Sequence, residues 1–211
     1  MDIEAFILIG GRSSRLGRDK AFVEVGGETL AGRSLKTLTE SGVVSKTTFV
    51  AGSEMQFAIE AVSLGVPFIC DLIRNRGPLG GLHAALSYAT TDRIFVLACD
   101  YPLVTSEMVK LLSDQICDAN GAVVPEQPDG RLQPLCAFYE VRRAAALVTD
   151  VIERPRVSPP LVDIVSELDP YIVGYDEYAK LPGSSEFFLN INTPDDLDRA
   201  QEMQITIDGK R

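Results

Sequence analysis

The side chains best equipped for chemistry stand near the amino terminus. Gly10-Gly11 is followed by Arg12, Arg15, Arg18 and Lys20, four cations against the single acid Asp19. Adjacent glycines let a backbone turn with its N–H groups exposed, and such groups beside cations make a cradle for phosphate. The spacing is not a Walker A loop, because no Gly-Lys-Ser/Thr follows at the required distance. Nor is it a G-x-G-x-x-G fingerprint, because the two glycines are neighbours. What remains is a peptide cradle in which Arg15 and Lys20 are cations suited to a triphosphate. One carboxylate completes the set. Asp100 follows the apolar run 93–99, and magnesium is commonly held by one or two carboxylates with substrate phosphates and water supplying the rest.

These residues need a scaffold that brings them together. The run 3–9 is apolar and β-branched, a strand buried on both faces that ends at the glycine pair. In open α/β sheets, ligands bind at the carboxyl ends of such strands. Short apolar runs alternate with helical stretches along the chain. This predicts an α/β fold, a single-domain Rossmann-like three-layer sandwich with a mostly parallel central sheet.

Further strands are expected at 47–51, 66–70, 93–99, 121–125, 133–139, 171–175 and 187–189, and a brief extended segment and turn at 21–27. Strand 66–70 delivers Asp71 at its carboxyl end. Helices are expected at 28–41, stopped by Gly42, and from Ser53 to about Leu64. Others open at Leu79-Gly80-Gly81, run from Thr105 to about Cys117, and cover 141–153 and 160–168. The last starts at Thr193-Pro194 and runs to about Met203, leaving a loosely held tail from Gln204.

Composition narrows the function. The chain's 211 residues suit one domain with a sizeable core, and 45% apolar and 24% charged residues are ordinary for a soluble protein. A net charge of −10 argues against nucleic-acid binding, which needs a basic face, but permits a local anion pocket. No apolar run approaches the roughly 20 residues of a membrane span, and no basic-then-apolar leader opens the chain, so a cytoplasmic location is expected. Cys70, Cys99, Cys117 and Cys136 show no C-x-x-C spacing and read as buried thiols in a reducing compartment. His83, the one histidine, lies among alanines and leucines and reads as a packing residue. With one histidine and no nucleophile triad, a hydrolase is a poor fit.

The pattern Gly10-Gly11-x3-Arg15-Leu16-Gly17-x2-Lys20 resembles the signature of nucleotidyltransferases that activate sugars and cofactors. Asp71, Gly77-Pro78-Leu79-Gly80-Gly81, Cys99-Asp100-x-Pro102, Gln133-Pro134-Leu135 and Asn190-Ile191-Asn192-Thr193-Pro194 follow in that order. Together they resemble the molybdenum cofactor guanylyltransferase family, over nearly the whole chain.

The resemblance implies the nucleotide-diphospho-sugar transferase form of the α/β fold. It implies a nucleotide-binding half at about 1–105 and an acceptor-binding half at about 106–203. It also implies an enzyme that transfers GMP from GTP to the molybdopterin cofactor with Mg2+, releasing pyrophosphate. Its partners would be GTP, molybdopterin, and molybdoenzymes or cofactor-insertion proteins. Leu8, Ile9, Gly10 and Gly11 would line the nucleotide, and Asp71 would contact the nucleoside. Gly80 and Gly81 would let base or ribose approach closely. Arg15, Lys20 and Asp100 would be catalytic, Lys20 on the phosphates and Asp100 on the metal. Asn190 and Asn192 would face the acceptor or assist the metal.

The chain departs from the family pattern at Ile9 and Leu16, where Ala and Met are usual. It also has Val50-Ala51-Gly52-Ser53 where an Asn is expected as a nucleoside contact. A related cytidylyltransferase or a sugar-1-phosphate nucleotidyltransferase shares the first motif and the metal carboxylate. A non-catalytic nucleotide carrier would bind without releasing pyrophosphate; the presence of both Lys20 and Asp100 favours an enzyme.

Overall fold

The computed structural model describes residues 1–9, 20–52, 64–117, 119–154 and 159–208, with the backbone alone at Lys20 and 204–208. The chain opens with β1 (Ile3–Leu8), a 3-10 turn at Lys20–Phe22, the short pair β2 (Glu24–Val25) and β3 (Glu28–Thr29), α1 (Leu30–Ser41), β4 (Lys46–Ala51) and β5 (Phe68–Cys70). Then come α2 (Pro78–Tyr88), β6 (Arg93–Ala98), α3 (Ser106–Asp114), β7 (Ala122–Pro125), β8 (Cys136–Glu140) and α4 (Val141–Glu153). The chain continues with α5 (Leu161–Ser166), β9 (Tyr171–Val173), α6 (Tyr175–Tyr178) and α7 (Pro194–Asp208).

Seven strands form one sheet in the order β5-β4-β1-β6-β8-β7-β9. Parallel pairing joins β1 to β4 and β6, β4 to β5, and β7 to β9. Only β8 among these strands runs against its neighbours. All six residues of β1 are buried, as a central strand covered on both faces requires. Alternate side chains feed two cores. Ile7, Phe95 and Phe138 pack with Leu38 of α1 and Met108 of α3; Phe6, Val96 and Tyr139 pack with Leu82 of α2 and Val148 of α4. The expected three-layer, mostly parallel α/β architecture is present.

Local signals hold at several element ends. Thr29 Oγ1 accepts from Gly32 N at 3.1 Å, and Gly42 closes α1 in the left-handed region at φ 64°. Thr105 caps α3 through Met108 N, and α4 covers the expected 141–153.

Other expectations are corrected. The segment 187–189 is not a strand: a 3-10 turn at Ser184–Glu186 leads into Phe187 and Phe188. Their rings lie 6.1 and 6.4 Å from Tyr178, and Phe188 lies 5.8 Å from Tyr101. Aromatic burial is thus satisfied without a ladder. The strand expected at 133–139 begins only at Cys136, since Pro134 has no N–H to donate. The segment 21–27 opens with a 3-10 turn before β2, and α7 continues to Asp208 instead of ending near Met203. The helix expected at 53–64 lies outside the described residues except at Leu64.

Candidate active site

Because β1, β4, β5 and β6 run parallel, their carboxyl ends share one edge. Hydrogen bonds lock that edge rung by rung. Asp71 N donates to Ala51 O at 2.9 Å, Ile9 N to Val50 O at 2.9 Å, and Cys99 N to Leu8 O at 3.1 Å. The ends of four strands therefore bring Leu8–Ile9, Gly52, Asp71 and Cys99–Asp100 side by side. The Ile9 N–H is already committed to this ladder, so backbone donors for a phosphate must come from beyond it. Gly10, Gly11 and Arg15 lie outside the described residues. Lys20 opens the 3-10 turn next to the buried Ala21.

Asp71 forms one end of the site. A Cβ on Gly80 would lie 3.1 Å from Asp71 Oδ2 and 3.2 Å from the carbonyl oxygen of Ile73, so only glycine fits there without displacement. Gly81 is equally close to β1, with the Leu8 methyls 3.2 Å from the corresponding point. The turn that enters α2 makes this contact possible: Gly77 takes φ 55° and Pro78 begins the helix. Burial pushes the Asp71 carboxyl up to about 6. No donor among the described residues hydrogen-bonds that carboxylate.

Asp100 forms the centre. Ile191 N donates to Asp100 O at 3.3 Å, which sets Asn190 and Asn192 on either side of a residue bonded to Asp100. That segment is held from below by a reciprocal cap: Asp196 Oδ2 accepts from Asn192 N, Thr193 N and Thr193 Oγ1, while Asp196 N donates to Thr193 Oγ1. On the other side of Asp100, Arg33 donates from Nε and Nη2 to Pro102 O at 3.3 Å each, and from Nη1 to Val25 O. Tyr101 Oη donates to Gln133 Oε1 at 2.9 Å.

Among the described residues no three His, Cys, Asp or Glu side chains cluster as a closed metal site. The donors here are hard oxygens, the Asp100 carboxylate and the amides of Asn190 and Asn192, which flank the residue hydrogen-bonded to the Asp100 backbone. That set suits a magnesium ion completed by substrate phosphates and water rather than an all-protein cage.

His83 lies in α2, where burial lowers its pKa against a smaller opposing pull from Glu153. The Arg33 clamp on Pro102 and the Tyr101–Gln133 bond were not visible in sequence, since each joins residues dozens of positions apart. The triplet Gln133-Pro134-Leu135 was the one available signal.

Known proteins resemble this chain in both sequence and fold. The model of the MobA-like NTP transferase domain matches residues 5–156. A protein described as a probable molybdenum cofactor guanylyltransferase from Pelotomaculum thermopropionicum is 32% identical over 198 residues, covering 93% of this chain and 91% of that one. One of the same description from Bacillus cereus is 30% identical over 199 residues, covering 93% and 94%. Among solved structures, the molybdopterin-guanine dinucleotide biosynthesis protein A of Archaeoglobus fulgidus superposes with a TM-score of 0.80 at 27% identity, covering 96% of this chain and 99% of that one. The chain belongs to the MobA-like NTP transferase family and is a nucleotidyltransferase.

Proposed function

We propose that the protein transfers GMP from GTP to the molybdopterin form of the molybdenum cofactor, releasing pyrophosphate. The observation that carries this reading is the meeting at one sheet edge of Asp71 beside Gly80 with Asp100 beside the Asn190–Asn192 segment. The names of relatives aligned over more than nine-tenths of the chain supply the substrates. The four cysteines form no disulfide, which suits a reducing cytoplasm; Cys99 and Cys136 are buried as expected, whereas Cys70 is half-buried and Cys117 exposed.

The acceptor is a phosphate monoester, already anionic near neutral pH, so no strong base must prepare it. One of its oxygens forms the new bond to the α-phosphorus of GTP, and the bond from that phosphorus to the pyrophosphate oxygen breaks. The difficulty is placing two polyanions in line. Arg15, Lys20 and the N–H groups of Gly10 and Gly11 neutralise the phosphates and the departing pyrophosphate. Asp100, with Asn190 and Asn192 assisting, would hold Mg2+, which supplies Lewis-acid charge stabilisation at the phosphoryl oxygens. Asp71 and Gly80 hold the nucleoside: the carboxylate accepts from its N–H or hydroxyl groups, and the missing side chain gives it room. In this reading the nucleotide-binding half is about 1–105 and the acceptor half about 106–203 of one domain. Molybdoenzymes or insertion proteins would receive the product.

The test is guanylyl transfer by the purified protein, supplied with GTP, Mg2+ and molybdopterin cofactor, followed as dinucleotide formed. Stoichiometric pyrophosphate and dinucleotide are expected; GTP binding without either product would overturn the reading.

A further inference from the structure

A cavity of about 460 Å³ opens at the same edge of the sheet, where β7 ends and β8 begins. Glu126, Arg131, Leu132, Gln133, Val162 and Ile172 line it. Its size lies within the roughly 300–1,000 Å³ of small-molecule sites. Its place in the strand order is informative. Asp71 ends β5, Asp100 follows β6 three strands away, and Glu126 follows β7 two strands further in the same direction. At about 4.8 Å per strand, Asp100 stands roughly 14 Å from the first position and 10 Å from the second. The carboxylate at the centre is thus flanked by Asp71 on one side and this cavity on the other.

The cavity wall is also tied to the centre. Gln133 is buried, and its Oε1 accepts from Tyr101, the residue after Asp100.

Glu126 has a fixed backbone and a spare carboxylate. Its N–H donates to Val173 O at 2.9 Å, and its carbonyl accepts from Tyr178 Oη at 2.6 Å. Its carboxylate has no hydrogen bond or ion pair among the described residues, although the residue is half-buried. Around it, Ile172 is 45% exposed and Val162 37%, with Leu132 part of the apolar wall. Apolar walls with a free carboxylate suit a flat heterocycle whose adjacent ring N–H and amino group can each donate to one carboxylate oxygen.

We infer that this cavity takes the pterin ring of the acceptor, with Glu126 reading its 2-amino-4-oxopyrimidine edge. The inference rests on the proposed guanylyl transfer. Guanine carries the same edge, but Asp71 and Gly80 offer the nucleoside its place on the opposite side of Asp100.

The test is steady-state transfer by full-length wild type, Glu126→Gln and Ile172→Glu, with GTP, Mg2+ and molybdopterin cofactor varied in turn. Removing a charged hydrogen bond predicts an acceptor KM raised about 10- to 100-fold in Glu126→Gln, with the GTP KM within about twofold of wild type. Ile172→Glu, on an exposed face of the edge strand, raises the acceptor KM in the same selective way and serves if the first variant misfolds. An unchanged acceptor KM in a folded variant overturns the assignment. So does a raised GTP KM with the acceptor KM unchanged, which gives the cavity to guanine. If wild type transfers nothing to molybdopterin, the proposed reaction fails first, and this inference with it.

Discussion

The backbone N–H of Ile191 donates to the carbonyl oxygen of Asp100 at 3.3 Å. One hydrogen bond joins the end of β6 to the loop that enters α7, two stretches far apart in sequence. Asp196 caps this loop through three hydrogen bonds. The geometry gives Asn190 and Asn192 a fixed relation to Asp100 before any substrate arrives, and fixed polar groups cost no reorganisation during reaction.

Asp100→Ala is expected to lower kcat by about 10²–10³ or more, the loss typical of one electrostatic contact to the reacting group. The fold should survive, since Asp100 is only half-buried and its backbone bond to Ile191 needs no side chain. Pyrophosphate release with a parallel thermal melt checks this. Near-wild-type turnover would remove the metal assignment.

Lys20→Ala is expected to weaken GTP binding by at least about tenfold, because a charge-assisted contact to phosphate is worth roughly 1.5–3 kcal/mol. Titration calorimetry with GTP reads it directly. An unchanged dissociation constant counts against the basic loop as the phosphate cradle.

Asp71 gives a pH dependence with a definite sign. Burial raises its folded-state pKa to about 6 from an ordinary 3.8. Between about pH 4 and 6 the folded chain therefore binds a proton that the unfolded chain has released, and stability falls as pH rises through that window. Asp71→Asn removes this contribution, so its Tm should exceed wild type at pH 7.5 and approach it near pH 4. GTP affinity should move the other way, weaker in Asp71→Asn. In wild type it should decline as pH falls through about 6, a decline absent from the variant. Melting curves and GTP titrations across pH 4–8 measure both.

Gly80→Ala should damage the proposed nucleoside end of the site. The new methyl would lie 3.1 Å from Asp71 Oδ2 and 3.2 Å from a carbonyl oxygen, and overpacking of this kind costs about 1–3 kcal/mol. A lower Tm and a raised GTP KM are expected. A wild-type KM in the variant would show that Gly80 is not needed for close approach of the nucleotide.

Much of this was legible in the sequence because local signals agreed with the fold. The central strand 93–98 reads from its apolar run, and the end of α1 reads from Gly42. The residues predicted at Asp71, Gly80 and Asp100 follow strands or open a helix, so finding those elements placed them on one edge. The 187–189 segment defeated the same reasoning. Three apolar residues cannot say whether a ladder or an aromatic cluster will bury them, and the partners Tyr101 and Tyr178 are far away in the chain. The cavity at Glu126 was equally hidden. Its lining comes from the β7–β8 connection, α5 and β9, and no spacing links Glu126 to Ile172. The Arg33 hold on Pro102 also depends on tertiary contact alone.

The most direct measurement is pyrophosphate release with GTP, CTP, UTP and ATP in turn, with Mg2+ and with or without molybdopterin cofactor. Release with GTP alone among the four, and only when the acceptor is present, is the predicted result. Equal or faster release with CTP, or acceptor-independent release, would contradict the account.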